Sequence, residues 1–284
     1  QATDRLTGQT VALKQVLLSR HSNDNTPTDD RSDARIALST EFRTLASLRH
    51  PNIITVIDYG FDEEQQPYFT MKLLKDASNI VMTSRGKPLE EQVALLNAML
   101  QALAYLHRRD IIHRDIKPSN VLVNQDGQVK VLDFGVSIND TRTMANLNDV
   151  AVGTLAYMAP ELFLDRPASV GLDLYAVGVI AYQMFASRHP YNISNMATLI
   201  NSVMSTEPNL DVLDVRIAPV VGRLLAKDTD SRYDSADDAI RAFCEALNQP
   251  IPIESDAVRE SFLQHAQFVG REKELNLMRR ALGD

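Results

Sequence analysis

Around residue 76 the apolar pattern of this chain changes period, and a chain that is strand-like before that point and helical after it has few ways to fold. Residues 10–18, Thr-Val-Ala-Leu-Lys-Gln-Val-Leu-Leu, form a β-rich run behind a Thr7-Gly8 turn signal and predict the second strand of a hairpin. Residues 19–35 are polar, with Asp24, Asp29, Asp30 and Asp33 around Pro27, and read as a surface loop. Leu38, Phe42, Leu45 and Leu48 recur at helical spacing up to His50-Pro51. Two short apolar runs, 53–59 and 67–74, predict paired strands. Beyond 76, Pro88-Leu-Glu-Glu is a helix start, and Val93, Leu96, Leu100, Leu103 and Leu106 continue it as one apolar stripe. Strand-like pieces at 121–123 and 129–132 flank an Asn124-Gln-Asp-Gly turn, and 170–247 reads as helical throughout. Pro250 and Pro252 mark a linker. The expected fold class is therefore α+β, with a small antiparallel N-terminal lobe and a larger, mainly helical C-terminal lobe sharing a cleft.

Composition narrows the function classes. At 284 residues the chain has room for about two domains, or one two-lobed domain, at roughly 150 residues each. Its 29 basic and 37 acidic residues give a net charge of −8, which argues against non-specific nucleic-acid binding, where a basic face is needed. A single cysteine, Cys244, can form neither an internal disulfide nor a thiolate cluster, and points to a reducing, cytoplasmic setting. The most apolar stretch, 170–186, contains Asp173 and Gln183 and falls short of the ~20 residues a membrane span needs. No signal-peptide pattern is present. The chain opens on Gln1, without an initiating Met, and reads as a piece of a longer protein.

The chemistry concentrates in His113-Arg114-Asp115-Ile116-Lys117-Pro118-Ser119-Asn120, which sets an Asp, a Lys and an Asn on one tight loop. Asp133-Phe134-Gly135 follows the apolar run 129–132, and a carboxylate at a strand end beside a Gly suits a divalent metal held over a phosphate. Ala159-Pro160-Glu161 comes later. Upstream, Val11-Ala12-Leu13-Lys14 puts a Lys on a strand, and Glu41 sits at the edge of the next helix's apolar face.

Five such elements in this order, over residues 1 to about 247, resemble the protein-kinase family. The resemblance implies a role for each residue. Lys14 grips the α/β-phosphates of ATP and pairs with Glu41. Asp115 accepts or orients the substrate hydroxyl's proton, and Lys117 steadies the transferred phosphoryl group. Asn120 and Asp133 hold Mg²⁺, with Mn²⁺ a possible substitute. Met71 stands at the back of the adenine pocket, Lys72 and Leu74 offer backbone hydrogen bonds to the base, and Ala12 and Leu122 sandwich it; a Met-Lys-Leu-Leu run would equally suit an ordinary buried strand. Lys117, and Thr154 ahead of Tyr157-Met-Ala-Pro-Glu, fit the serine/threonine class. Other matched residues read as structural. His113 and Phe134 are expected to stack with Leu45 and Val56, Glu161 to pair with Arg232, and Asp173 to cap the backbone of the catalytic loop. Arg114 awaits an anion, which phosphorylation of Thr141 or Thr143 would supply.

The sequence departs from the family in two places: Leu174 follows Asp173 where many relatives carry Trp, a packing substitution, and no Gly-x-Gly-x-x-Gly motif precedes Lys14. Gln1-Ala2-x-Asp4 resembles the strand after that loop, so truncation is the expected reason, and impaired ATP handling by this piece the expected result. At the other end, Phe268-Val-Gly-Arg-Glu-Lys-Glu-Leu275 resembles the opening of an AAA-type or related signalling ATPase domain; an amphipathic helix after a Gly turn is the plainer alternative. The expected organisation is an N-lobe at 1–75, a C-lobe at 76–247, a linker at 248–267 and the start of an ATPase domain at 268–284. The expected function is phosphoryl transfer from ATP to Ser/Thr hydroxyls of protein substrates, with a partner ATPase on the same chain and no nucleic-acid or membrane partner. The alternative is a pseudokinase or docking module on the same fold.

Overall fold

The computed structural model describes residues 1–4, 7–15, 46–63, 66–133, 152–164 and 166–253. The chain divides into two units, Gln1–Pro252 and Ile253–Asp284, and every element described below belongs to the first. The expectations for Glu41, for the 19–35 loop and the helix through Leu38 and Leu45, for Phe134, Thr141 and Thr143, and for 268–284 lie outside the described residues.

Two antiparallel sheets carry the strand-like sequence. The first contains β1 (Ala2–Thr3), β2 (Thr10–Gln15), β3 (Val56–Phe61) and β4 (Pro67–Lys72) in the order β1-β2-β4-β3. The β2–β4 register sets Ala12 opposite Met71 and Lys14 opposite Phe69. Because successive strand residues alternate faces, these four share one face of the sheet, and Leu13 and Gln15 take the other. The second sheet contains β5 (Ser78–Asn79), β6 (Val121–Val123) and β7 (Val129–Val131), with the Asn124-Gln-Asp-Gly turn closing the β6–β7 hairpin. Gly127 supplies that turn's positive φ of 77°. Val121, Val123, Val129 and Val131 are buried, which leaves the half-buried Leu122 on the opposite face.

The helices are α1 (Ile80–Ser84), α2 (Leu89–His107), α3 (Val152–Leu155), α4 (Val170–Ala186), α5 (Met196–Ser205), α6 (Ala218–Leu224) and α7 (Ala236–Ala246). Pro88 precedes α2, and Glu90 and Glu91 occupy its first turn, where the helix dipole favours acids. All five residues of its predicted stripe are fully buried. Helix α4 is buried on nearly every side, from Gly171 to Met184, and is packed by α1, α2 and α6. A Cβ on Gly178 would lie 2.8 Å from Leu224 Cβ, so the absence of a side chain there lets α6 approach.

The expectation of helix throughout 170–247 is corrected. Ser187 ends α4 in the left-handed conformation at φ 55°, and Pro190 follows. New helices start where Asn195 accepts from the Thr198 N–H and Ser235 from the Asp238 N–H, the N-cap bonds that begin α5 and α7. No described helix is long and apolar enough to cross a membrane.

Candidate active site

The loop after α2 is tied down by one buried carboxylate. Asp173, in the first turn of α4 and 1% exposed, accepts from the His113 N–H at 2.8 Å through Oδ2 and from the Arg114 N–H at 2.9 Å through Oδ1. His107 Nε2 also meets Oδ2 at 2.8 Å. A buried carboxylate needs such partners, and these hold Arg114 at a positive φ of 65°. The capping role expected of Asp173 is what the structure contains. The third partner, His107, had no signal in the sequence, where it is only the last residue of an apolar stripe.

His113 is fully buried and bridges the loop after α2 to the end of β7. Its Nε2 lies 2.8 Å from the Leu132 carbonyl, which can only accept, so Nε2 carries the hydrogen. Its Nδ1 then accepts the Asp115 N–H at 3.3 Å. Burial, the largest influence, pushes the imidazole's pKa below its usual value against the pull of Asp173, which suits this neutral form. His113 thus sets the distance between the end of β7 and the backbone of Asp115, a structural role.

Asp115 is oriented by two side chains from its own loop. Lys117 Nζ reaches its Oδ2 at 2.9 Å, and Asn120 Nδ2 donates to the same oxygen at 2.9 Å and to the Asp115 carbonyl at 2.8 Å. Asn120 is buried, and its own carbonyl takes the Leu132 N–H at 2.8 Å. That bond joins this loop to the residue before Asp133. Asp133 itself stands at φ 52°, and its Oδ1 lies 2.8 Å from Lys14 Nζ. Lys14 therefore spans from the first sheet to the end of the second. The sequence expectation paired it with Glu41, which lies outside the described residues; pairing with Asp133 was not foreseen, because nothing in residue spacing reveals which acid crosses a cleft.

The adenine-pocket expectations fare unevenly. Met71 is buried opposite Ala12, on the face that also carries Lys14. Lys72 donates its N–H to the Thr55 carbonyl at 3.1 Å, so that donor is taken and only its carbonyl can serve a base. Leu74 is half-buried just beyond β4. The described residues contain no cluster of three or more His, Cys, Asp or Glu side chains able to cage a metal. Asn120 and Asp133 instead offer two oxygen donors, which matches an ion that takes few protein ligands and completes its shell with phosphate oxygens and water. The residues present fit a nucleotide-bound divalent cation.

Below this loop, Arg232 is buried against Glu161, with Nη1 and Nη2 reaching its two carboxylate oxygens at 2.6 and 2.8 Å. It also donates to the carbonyls of Gly171 and Ala226, each at 2.8 Å. The expected pair is present and is fully hydrogen-bonded. A small cleft is lined by Arg114, Asp115 and Ile116 of this loop together with Tyr157, Met158, Ala159 and Leu162, and by Leu172, Asp173 and Ala176 of α4.

Residues 1–249 match the protein kinase domain family, and the chain belongs to that family. Protein kinases act on protein hydroxyls with ATP and a divalent metal ion. Among the similar curated proteins is a probable serine/threonine-protein kinase of Streptomyces coelicolor, 33% identical over 76% of this chain and 34% of its own length. The DNA damage-responsive serine/threonine-protein kinase RqkA of Deinococcus radiodurans is 33% identical over 83% of the chain and 35% of its own. The serine/threonine-protein kinase PknA of Mycobacterium tuberculosis is 30% identical over 89% and 59%. The chain thus spans between about a third and three-fifths of these relatives' lengths. Rad53 residues 1–466, solved in complex with AMP-PNP, share the fold, with a TM-score of 0.64 at 24% identity, over 84% of this chain and 58% of that one.

Proposed function

We propose that this domain transfers the γ-phosphoryl group of Mg-ATP to serine or threonine hydroxyls of protein substrates, with the residues above in named roles. The observation that carries the reading is the convergence of Lys14–Asp133 and Asp115–Lys117–Asn120, two charged groups joined through the Asn120–Leu132 backbone bond. Asp115 takes the hydroxyl's proton or orients it as the oxygen–phosphorus bond forms, the bond to the β-phosphate oxygen breaks, and ADP leaves. Lys117 shares its charge between the Asp115 carboxylate and the phosphoryl group in transfer. Lys14 and Asp133 meet the nucleotide's phosphates and its cation, Asn120 supplies a further oxygen donor, and Ala12, Met71, Lys72 through its carbonyl, Leu74 and Leu122 frame the base. Bound Mg²⁺ supplies charge neutralisation of the phosphates. Glu41 is assigned to Lys14 on resemblance alone. The setting is read as cytoplasmic, and 268–284 as the lead into an ATPase domain of the parent protein.

The test is radiolabel transfer from ATP to a generic protein substrate by the parent protein and by Asp115→Asn. Loss of a positioned acid-base group should reduce transfer on the order of 10²-fold or more. Nucleotide affinity by calorimetry should stay near wild type, since Lys14 and Asp133 are untouched. Transfer by Asp115→Asn at near wild-type rate would refute the mechanism and favour a docking role.

A further inference from the structure

The loop after α4 carries a histidine that phosphoryl transfer leaves unused. His189 is half-buried, its Nε2 lies 3.0 Å from the Ala156 carbonyl, and its Nδ1 lies 3.1 Å from both the backbone N and the carbonyl O of Tyr191. A carbonyl can only accept, so Nε2 carries the hydrogen toward Ala156, while Nδ1 stands between the Tyr191 N–H and the Tyr191 carbonyl. Burial, the largest influence, lowers the pKa of this ring against the pull of the Tyr191 and Ala156 carbonyls, and the Nε2–H bond to Ala156 is made whichever charge state the ring takes. The ring also meets Tyr157 edge-on at 6.1 Å and Tyr191 at 6.0 Å between centroids. Ala156 is itself buried, so its carbonyl needs a partner, and His189 provides one from 33 residues away.

The place of that bond gives it consequence. Ala156 immediately precedes Tyr157, Met158 and Ala159, which line one small cleft together with Arg114, Asp115 and Ile116. A peptide that presents a hydroxyl to Asp115 has to run along this wall. The Tyr157 hydroxyl donates to Gln183 Oε1 at 2.9 Å, so the wall is pinned to α4 at one residue and to the following loop at the residue before. We propose that His189 is a positioning residue for the protein substrate: its Nε2–H bond to Ala156 fixes the wall against which the peptide is laid beside Asp115. The inference rests on the kinase reading above. His189 touches none of Lys14, Asn120 or Asp133, so its effect falls on the peptide and not on the nucleotide.

The experiment is steady-state kinetics of the parent protein with a peptide substrate, comparing wild type with His189→Ala, His189→Gln and His189→Asn, alongside ATP KM and urea midpoints. The Gln side-chain nitrogen can replace Nε2 toward Ala156, whereas Asn reaches only as far as Nδ1 and can serve only the Tyr191 N–H. Expected are a peptide KM raised about fivefold in the Ala and Asn variants, the factor one hydrogen bond of ordinary net strength represents, and a return to within about twofold of wild type in Gln. The ATP KM should not move. Unchanged peptide KM in His189→Ala would overturn the proposal, as would equal rescue by Asn and Gln, which would reduce His189 to a turn former. A rise in ATP KM in step with lost stability would overturn it too, by showing a merely structural role. A wild-type protein that binds ATP but transfers nothing to any peptide would instead overturn the kinase reading on which the proposal stands.

Discussion

Replacing Asp173 with asparagine changes one oxygen to an amino group at a site where three donors converge. Oδ2 takes the His113 N–H and faces His107 Nε2, while Oδ1 takes the Arg114 N–H. If the amide keeps its oxygen at the Oδ2 position, its NH₂ faces the Arg114 N–H, donor against donor. If it flips, His113 loses its acceptor instead. Either way at least one buried backbone N–H is orphaned, at about 1–3 kcal/mol, and the bond that survives loses its charge assistance, about 1 kcal/mol more. Asp173 is 1% exposed, so little compensation comes from bulk water, although the small cleft it lines offers room for a water beside it. A loss of about 2–4 kcal/mol by urea denaturation is therefore expected. Arg114 at φ 65° is held by one of these bonds, and Asp115 is the next residue, so release of the strain should also displace the carboxylate and lower kcat by tenfold or more. ATP affinity should fall far less. A variant with wild-type kcat and stability within about 0.5 kcal/mol would show that the loop is held by something else and that the capping argument is wrong.

Three further perturbations separate structural from chemical roles. Glu161→Ala leaves the Arg232 guanidinium buried without its carboxylate, and should cost about 3–5 kcal/mol of stability by denaturant midpoint; a cost under 1 kcal/mol would mean that the carbonyls of Gly171 and Ala226 suffice. Lys14→Met should do the reverse: its pair with Asp133 is partly exposed and worth under about 1 kcal/mol to folding, but calorimetry with Mg-ATP should show at least tenfold weaker binding. Burial lowers Lys227 from 10.5 to about 8, while its ammonium donates to the Tyr191 hydroxyl. Because the unfolded chain then binds more protons between those values, stability should rise with pH across pH 8 to 10, by about 1–2 kcal/mol once partial exposure is allowed for. Lys227→Met should remove that rise, and an identical pH slope in the variant would exclude Lys227 as its source.

Much of this site was legible because its residues are close in sequence. Asp115, Lys117 and Asn120 lie within six positions, and a loop that short forces their side chains together. The β6–β7 hairpin was equally readable, since its turn residues demand a positive φ that glycine gives. What escaped was set by packing between distant segments. Lys14 meeting Asp133, His107 meeting Asp173 and His189 meeting Ala156 span 119, 66 and 33 positions. No local pattern encodes such meetings. Glu161 with Arg232 was foreseen only because a family resemblance carried the contact, and the breaks between α4 and α7 were missed because apolar residues continue through Pro190, Tyr191 and Ile193.

The stretch just ahead of β3 holds to the other sheet. Ile53 bridges Val131, the Ile54 N–H donates to Val131 O at 3.0 Å, the Val131 N–H donates to Asn52 O at 2.8 Å, and Lys130 reaches the Pro51 carbonyl. Arg49 N–H ends on the Tyr105 hydroxyl in α2. In mechanical terms, residues 49–54 are bolted to the lower half of the molecule although sequence order assigns them to the upper. Any opening of the cleft must then pivot near Thr55 on one connection and beyond Lys72 on the other. The Thr55 carbonyl, bonded to the Lys72 N–H, clamps those two pivots side by side, so that they act as a single hinge pin. Amide exchange at Ile54 should accordingly keep time with Val131 and not with the strand it leads into.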